Sequence, residues 1–550
     1  MRPPRIPIAS AALAISLAST VPALGAIGSW QFPPTDLSPY GEGGGVPSVV
    51  INPAADATAI WSSSGATPSL MRARTWTAGA WGPDTALSVG PFNTAQPFVT
   101  GNASGALAAV WRIFDGGTKR VQAATRAGGG WGAPTTLTPG SDNYESPTAV
   151  IDSSGVTTAA WERDDGSDTY VQWARNAGGT WSGPSDLTGV AGGHDVHLAV
   201  DGSGVVTAIW EQGFAIQARR FSGGAWGSVD TLDPGGSQQP AIVADASGVL
   251  TAAWSADPGS GIRVIRSSRF TGAGWSTPTP ISITGQDSTS AKLAVDASGA
   301  VTAVWRANTG ANFLIVAARL VNGNWTTGTK ISQAGQDAAR PAVASGPAGS
   351  ALATWERSDG TNQRIQAAEF SSGAWEEPIT LSPAGVSVTS GGATVAMSPS
   401  GAAVTGWALG APALTTQAIR YVPTPAPASA AGGASSPGPN SSATKSRKKL
   451  PGAFVLNRKT RVGTTTGTVP AGITRITQSA KASKTKKSKA KSATGRCRIT
   501  TVRNKKTKKV TKRTFRCTIT LPKATWTLTT LGYTGAEVVA EGVRTVSVKK

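Results

Sequence analysis

Two tryptophan registers that each recur about every 50 residues, with four short β-like stretches in every repeat, predict an all-β chain built on an eight-bladed β-propeller. A basic C-terminal segment with its own alternating pattern predicts a second, small β-sandwich-like domain. In the first register a tryptophan closes an apolar stretch at Trp61, Trp111, Trp161, Trp210, Trp254, Trp305, Trp355 and Trp407. In the second it follows a glycine-rich turn at Trp30, Trp81, Trp131, Trp181, Trp226, Trp275, Trp325 and Trp375. These positions take up 16 of the 19 tryptophans, so the registers are a property of the fold.

The repeat around Trp161 shows the four stretches: "SPTAVID", "VTTAAWER", "TYVQWAR" and "TWSGPSDL". They are joined by "DSSG", "DDGSD" and "NAGG", whose Asp, Asn, Ser and Gly suit tight turns. Four strands in 40–50 residues is the period of a propeller blade. A parallel β-helix repeats faster, and immunoglobulin-like domains need about twice the length. The chain opens with an orphan second-register strand, "SWQFPPTDLS", and the last repeat, ending in "TQAIRYV", lacks one. One N-terminal strand completing the last blade closes the ring and leaves no free edge.

Within this frame the tryptophans pack between neighbouring sheets, each burying about 150–250 Å². The recurring turn of "VDASGAVTAVW" joins a first strand to its tryptophan strand, Asp296 and Gly299 serving the bend. Third-strand arginines such as Arg219 and Arg220 are expected on a solvated blade face, with Glu369 at the matching place. A calcium role for Asp152, Asp201, Asp245 and Asp296 is disfavoured, since one carboxylate per turn supplies too few ligands.

Residues 1–26 have the pattern of a secretory signal peptide: Arg2 and Arg5, an apolar run from Ala9 to Val21, then small residues up to Ala26. The propeller is expected over 27–422, a Pro/Ala/Ser/Gly linker over 423–449, and the basic domain over 450–550. No later segment has the roughly 20 apolar residues of a membrane span. The expected localisation is secreted, extracellular or cell-wall associated, and the expected state a monomer.

Charge divides the chain. Residues 445–550 carry 28 basic residues against two acidic ones, Glu537 and Glu541, whereas the rest carries 23 against 28. The only cysteines, Cys497 and Cys517, lie in the basic part and read as one disulfide in an exported chain. The lysine run near 481–492 is expected to be disordered. Lys484, Lys486, Lys487, Lys489, Lys491, Lys505, Lys506, Lys508 and Lys509 are the candidate polyanion contacts, with an anionic wall polymer or polysaccharide as partner. Few aromatics accompany them, which argues against base stacking and sequence-specific nucleic-acid reading.

With its period, tryptophan placement and Gly/Asp turns, the stretch 27–422 resembles secreted bacterial propellers with sialidase-like or lectin-like repeats. The basic segment resembles small immunoglobulin-like modules of exported proteins, on its cysteine spacing and "ATWTLTT" strand. The resemblance is architectural: "DASGAVTAVW" departs from the S-x-D-x-G-x-T-W box of sialidases. Sialidase-type hydrolysis implies an arginine triad, a tyrosine with an acidic partner and a further carboxylate. Tyr144-Glu145 in "GSDNYESP" is the local candidate for that pair, with a polar loop as the alternative.

Loops that break the repeat on one rim are the candidate ligand site: Asp142, Asn143, Tyr144, Glu145, His194, Asp195, Phe114, Asp115, Asp164 and Asp165. They do not repeat from blade to blade, which favours one central or lopsided site for a glycan or protein. A metal site at "GGHDVH" is disfavoured because His194 and His197, three apart, face opposite ways on a regular strand. No metal or cofactor is expected. The function expected is non-enzymatic binding or surface adhesion; the alternative is a sialidase-like glycoside hydrolase.

Overall fold

The computed structural model describes residues 29–423, apart from 40, 41, 43, 64–67, 390, 412 and 413, and the backbone of strand segments between 448 and 547. The chain forms two units, 1–429 and 430–550. The expected signal peptide and nearly all of the linker lie outside the described residues. Among those described, no helix is long and apolar enough to cross a membrane.

Eight antiparallel sheets make up the first unit, in the predicted order. Blade 6 is representative: Ser288–Val295, Val301–Asn308, Phe313–Val321, then an outer strand split into Asn324–Trp325 and Thr329–Lys330. Blade 8 is composite. Its own strands are Thr394–Met397, Ala403–Ala408 and Thr416–Val422, and the N-terminal Ser29–Trp30 and Thr35–Asp36 pair with the last of them. Trp30 lies opposite Tyr421, and the amide of Leu37 donates to the Thr416 carbonyl at 2.8 Å. The eight-bladed ring therefore closes as the chain ends predict.

All eight first-register tryptophans have 0% exposure. Trp161 packs against Val110, Val121 and Ala123 of blade 2 as well as Ala149 and Ala159 of its own blade. Burial of this kind stabilises by several kcal/mol per side chain, at about 25 cal/mol per Å². The second-register tryptophans are half-buried on the outer strands. Several contact the aromatic at the end of the third strand edge to face, as in Phe370–Trp375 at 5.5 Å between centroids.

The Asp turns do more than bend the chain. Oδ1 of Asp296 accepts from the amides of Ser298 and Ala300 and from the Ser298 hydroxyl, which is the local bend. Oδ2 faces outward from the turn and accepts from Arg319 Nη2 at 2.7 Å and from the Gly349 amide of blade 7 at 2.9 Å. The Arg319 guanidinium carbon lies 4.5 Å from the Phe370 ring centroid, also in blade 7. The same chain of contacts recurs as Asp152–Arg175–Phe221 and Asp201–Arg220–Phe270. Where the turn Asp gives way to Gly346, the arginine gives way to Glu369 and the aromatic to Tyr421, whose hydroxyl donates to Glu369 at 2.5 Å.

This corrects one expectation. Arg319 does not line a solvated face but is enclosed between blades, and Arg175 and Arg220, though about a quarter exposed at 25% and 27%, are likewise held between a turn Asp and an aromatic of the next blade. In a propeller both faces of a sheet are covered by neighbours, so a polar side chain at an outward strand position is still enclosed and needs partners. Arg219, one residue earlier, donates to the carbonyls of Gly227 and Leu187.

In the second unit the strand segments pair in one eight-strand path that includes Arg475–Ala482, Ser492–Arg503, Val510–Thr520 and Thr525–Thr534. The register sets Cys497 opposite Cys517. Lys484, Lys486, Lys487, Lys489, Lys491, Lys505, Lys506, Lys508 and Lys509 lie outside the described residues.

Candidate functional site

The innermost strand of each blade faces the central channel, and in blades 2 to 7 a bulge interrupts it six residues before the Asp-turn position. Gln96, Ser146, Asp195, Gln239, Ser290 and Arg340 all hold φ between 50° and 59° there, and Gly392 takes the place in blade 8. Proline follows at Pro97, Pro147, Pro240 and Pro341. An inner edge has no strand to bond, so a missing amide costs nothing at that point.

Five of these amides, those of Ser146, Asp195, Gln239, Ser290 and Gly392, are met by the preceding blade. Glu162 Oε1 accepts from the Asp195 amide at 2.9 Å, and Glu356 Oε1 accepts from those of Gly391 and Gly392. Glu211 accepts from the Gln239 amide. These glutamates directly follow a first-register tryptophan. Where that position is not acidic, the bulge glutamine serves instead: Gln96 accepts from the Ser146 amide and Gln239 from that of Ser290, both at 3.0 Å.

The channel wall is lopsided. Across blades 4 to 8 a cavity of about 560 Å³ is lined by Asp195, His197, Gln239, Ser290, Lys292 and Arg340, with Pro240, Leu293, Pro341 and Val343 between them. His197 Nε2 lies 3.5 Å from Asp195 Oδ1, and His194 Nε2 lies 3.3 Å from Glu211 Oε1. Arg340 Nη1 donates to Glu356 Oε2 at 2.7 Å. Burial pushes the Asp195 carboxyl up, but the hydrogen bond from His197 and the nearby charges of His197, Lys292 and His194 outweigh it, holding the group below its usual range. Burial dominates at Glu211 and raises it, against the pull of His194 and the Gln239 amide.

A bulge at Asp195–Val196 overturns the strand-parity expectation for the histidines. Three residues span two of the partner strand, so His194 and His197 oppose Glu211 and Ile209 and share one face. They nonetheless bind separate carboxylates. No group of three or more His, Cys, Asp or Glu side chains suited to a metal ion occurs among the described residues.

The other rim candidates do not converge. Tyr144 is buried in the core between blades 2 and 3, and its hydroxyl donates to the Pro139 carbonyl at 2.9 Å. Burial, helped by the Asp142 charge, raises that hydroxyl above its ordinary range. Glu145 pairs with Lys119 and Arg112, Asp142 with Arg163, and Asp115 with Arg120. Asn143 accepts from the Lys119 amide at 3.1 Å. Asp164 and Asp165 accept amides of their own turn, and Phe114 is exposed alone. Tyr144 is thus a core residue with a satisfied hydroxyl. The three arginines around it are each committed to a carboxylate.

Of the ten candidates only Asp195 lines the cavity, with His194 beside it on the same strand. His197, Lys292, Arg340, Gln239 and Ser290 join Asp195 there, backed by the buried Glu211 and Glu356, and only a column read at fixed distances from the turn or the tryptophan would have found most of these.

The fold and the channel define an eight-bladed β-propeller protein. No family model and no curated protein matches the chain. Among solved structures it is similar to a protein of unknown function from Dyadobacter fermentans, at 14% identity over 51% of this chain and 94% of that one, with a TM-score of 0.35. It is also similar to the intramolecular trans-sialidase from Ruminococcus gnavus, at 11% identity over 60% and 94% of the two chains and a TM-score of 0.34. A polysaccharide lyase, an ulvan lyase, matches at 11% identity over 71% and 96%, with a TM-score of 0.39. Likenesses this distant carry no functional argument.

Proposed function

We propose that this is an exported binding or surface-adhesion protein. The propeller receives a glycan or protein at the lopsided channel mouth, and the basic C-terminal unit associates with anionic wall polymer or polysaccharide. The supporting observation is how the polar side chains are used. On the rim around Tyr144 they pair with one another or hold turns, whereas at the channel they gather round a cavity of about 560 Å³. A cleft of that size with a few convergent polar groups on a rigid scaffold suits a small ligand or one sugar residue of a chain. The 28 basic residues of 445–550 against two acidic ones support the second contact, and the disulfide between Cys497 and Cys517 belongs to the same reading.

The test is a glycan array probed with the full chain at low and high salt. Binding to defined glycans at both ionic strengths, over a polyanion background that high salt removes, supports the reading. Release of products from the bound glycans would replace it with an enzymatic one.

A further inference from the structure

The carboxylates in and behind the channel cavity all have partners, whereas one of its cations has none among the described residues. Asp195 is engaged by His197, Glu211 by His194 and the Gln239 amide, and Glu356 by Arg340 and two glycine amides. Lys292 has no hydrogen-bond or ion-pair partner among the described residues, and Asp195 acts on it only at a distance. Its position in the repeat, four residues before the turn Asp, is His197, Ala241 and Ala342 in other blades that line the cavity, so the cation is peculiar to blade 6.

The neighbouring free capacity is also for donation. Gln239 spends its carbonyl oxygen on the Ser290 amide at 3.0 Å, which leaves its amide hydrogens without an acceptor. The Ser290 hydroxyl donates only a long hydrogen bond, 3.5 Å, to the same oxygen and can turn to an incoming acceptor, and Arg340 uses only one of its nitrogens. Crowding by the channel walls pushes the Lys292 ammonium below its usual range, against the pull of Asp195. The side chain is nevertheless exposed within the channel, where an incoming anion can reach it.

We propose that the cavity is an anion site for a carboxylated sugar, a uronic acid residue, with Lys292 opposite the carboxylate and Gln239 and Ser290 donating to it or to adjacent hydroxyls. Pro240, Pro341, Leu293 and Val343 supply apolar wall for the C–H face of a pyranose ring. The inference rests on the channel-mouth reading above and narrows its ligand class.

Calorimetric titration of the full chain with glucuronic acid, glucose and inorganic sulfate tests it, in the wild type, Lys292→Met and Lys292→Arg. The C-terminal basic residues are common to all three proteins, so the difference between variants isolates the channel. Glucuronic acid should bind at least tenfold more tightly than glucose or sulfate. Lys292→Met should lose that advantage with an unchanged melting temperature, and Lys292→Arg should keep most of it. Equal affinity in wild type and Lys292→Met, equal affinity for glucose or sulfate, or no binding of glucuronic acid would overturn the proposal. Array binding that survives Lys292→Met would sustain the broader function while removing this ligand class.

Discussion

Arg319 donates to Asp296 at 2.7 Å inside blade 6 while its guanidinium lies against Phe370 of blade 7. Both side chains are almost wholly enclosed, at 6% and 0% exposure. The recurring Asp turn is therefore a joint between blades as well as a bend. Burying two charges is costly, and the joint returns that cost through five hydrogen bonds to the carboxylate and a stacked ring.

Removing one partner should be far worse than losing a surface ion pair. Arg319→Met leaves Asp296 buried without its cation, and the expected loss is about 3–5 kcal/mol. Arg163→Met, on the partly exposed rim, should cost at most about 1 kcal/mol. Guanidinium denaturation of both variants checks the contrast; equal losses would mean that the joint carries no special weight.

Acid should undo the same joint. Burial raises the Asp296 carboxyl, but hydrogen bonds from Ser298, Gly349 and Arg319 hold it below its ordinary value. A group depressed in the folded state contributes stability above its unfolded value of about 3.9, and loses it as pH falls through the folded value. Asp296→Asn should thus be less stable than wild type at pH 7, by about 2–4 kcal/mol for the orphaned arginine. The gap should narrow below about pH 4. Melting temperatures between pH 2 and 7 give the test, and a gap constant with pH would contradict it.

Closure of the ring depends on the first strand. Trp30 is half-buried beside Tyr421, with ring centroids 5.4 Å apart. Trp30→Ala should cost about 2 kcal/mol, roughly half the usual cost for a core tryptophan. Amide exchange should quicken first in Thr416–Val422, the strand it covers. Unchanged exchange there would mean that blade 8 stands without its N-terminal strand.

Tyr144→Phe removes only the hydroxyl that meets the Pro139 carbonyl. The expected effect is about 1 kcal/mol of stability and none on ligand binding. Loss of binding or of any turnover in a variant that folds normally would restore Tyr144 as a site residue.

The blade count and closure were legible because each blade repeats the same packing problem, and Trp61 to Trp407 solve it with the same side chain. The arginine joints were not legible. Strand alternation tells which way Arg175 or Arg319 points, but not that a neighbouring blade covers that side. The channel site was half legible. His194 and Asp195 stood out as a break in the repeat, whereas Gln239, Ser290 and Arg340 share no residue type, only a distance from the turn. Their bulge reverses side-chain parity, so the rule that separated His194 from His197 failed where the strand is irregular.

Hydrogen exchange of the full chain with and without a bound acidic oligosaccharide tests the central claim most directly. Protection is expected in the inner strands Gly193–Val200, Ser237–Ala244 and Ser288–Val295, which carry Asp195, Gln239 and Lys292. Protection confined to the rim around Asp142–Glu145 or to the outer strands, with the inner strands unchanged, would contradict the account.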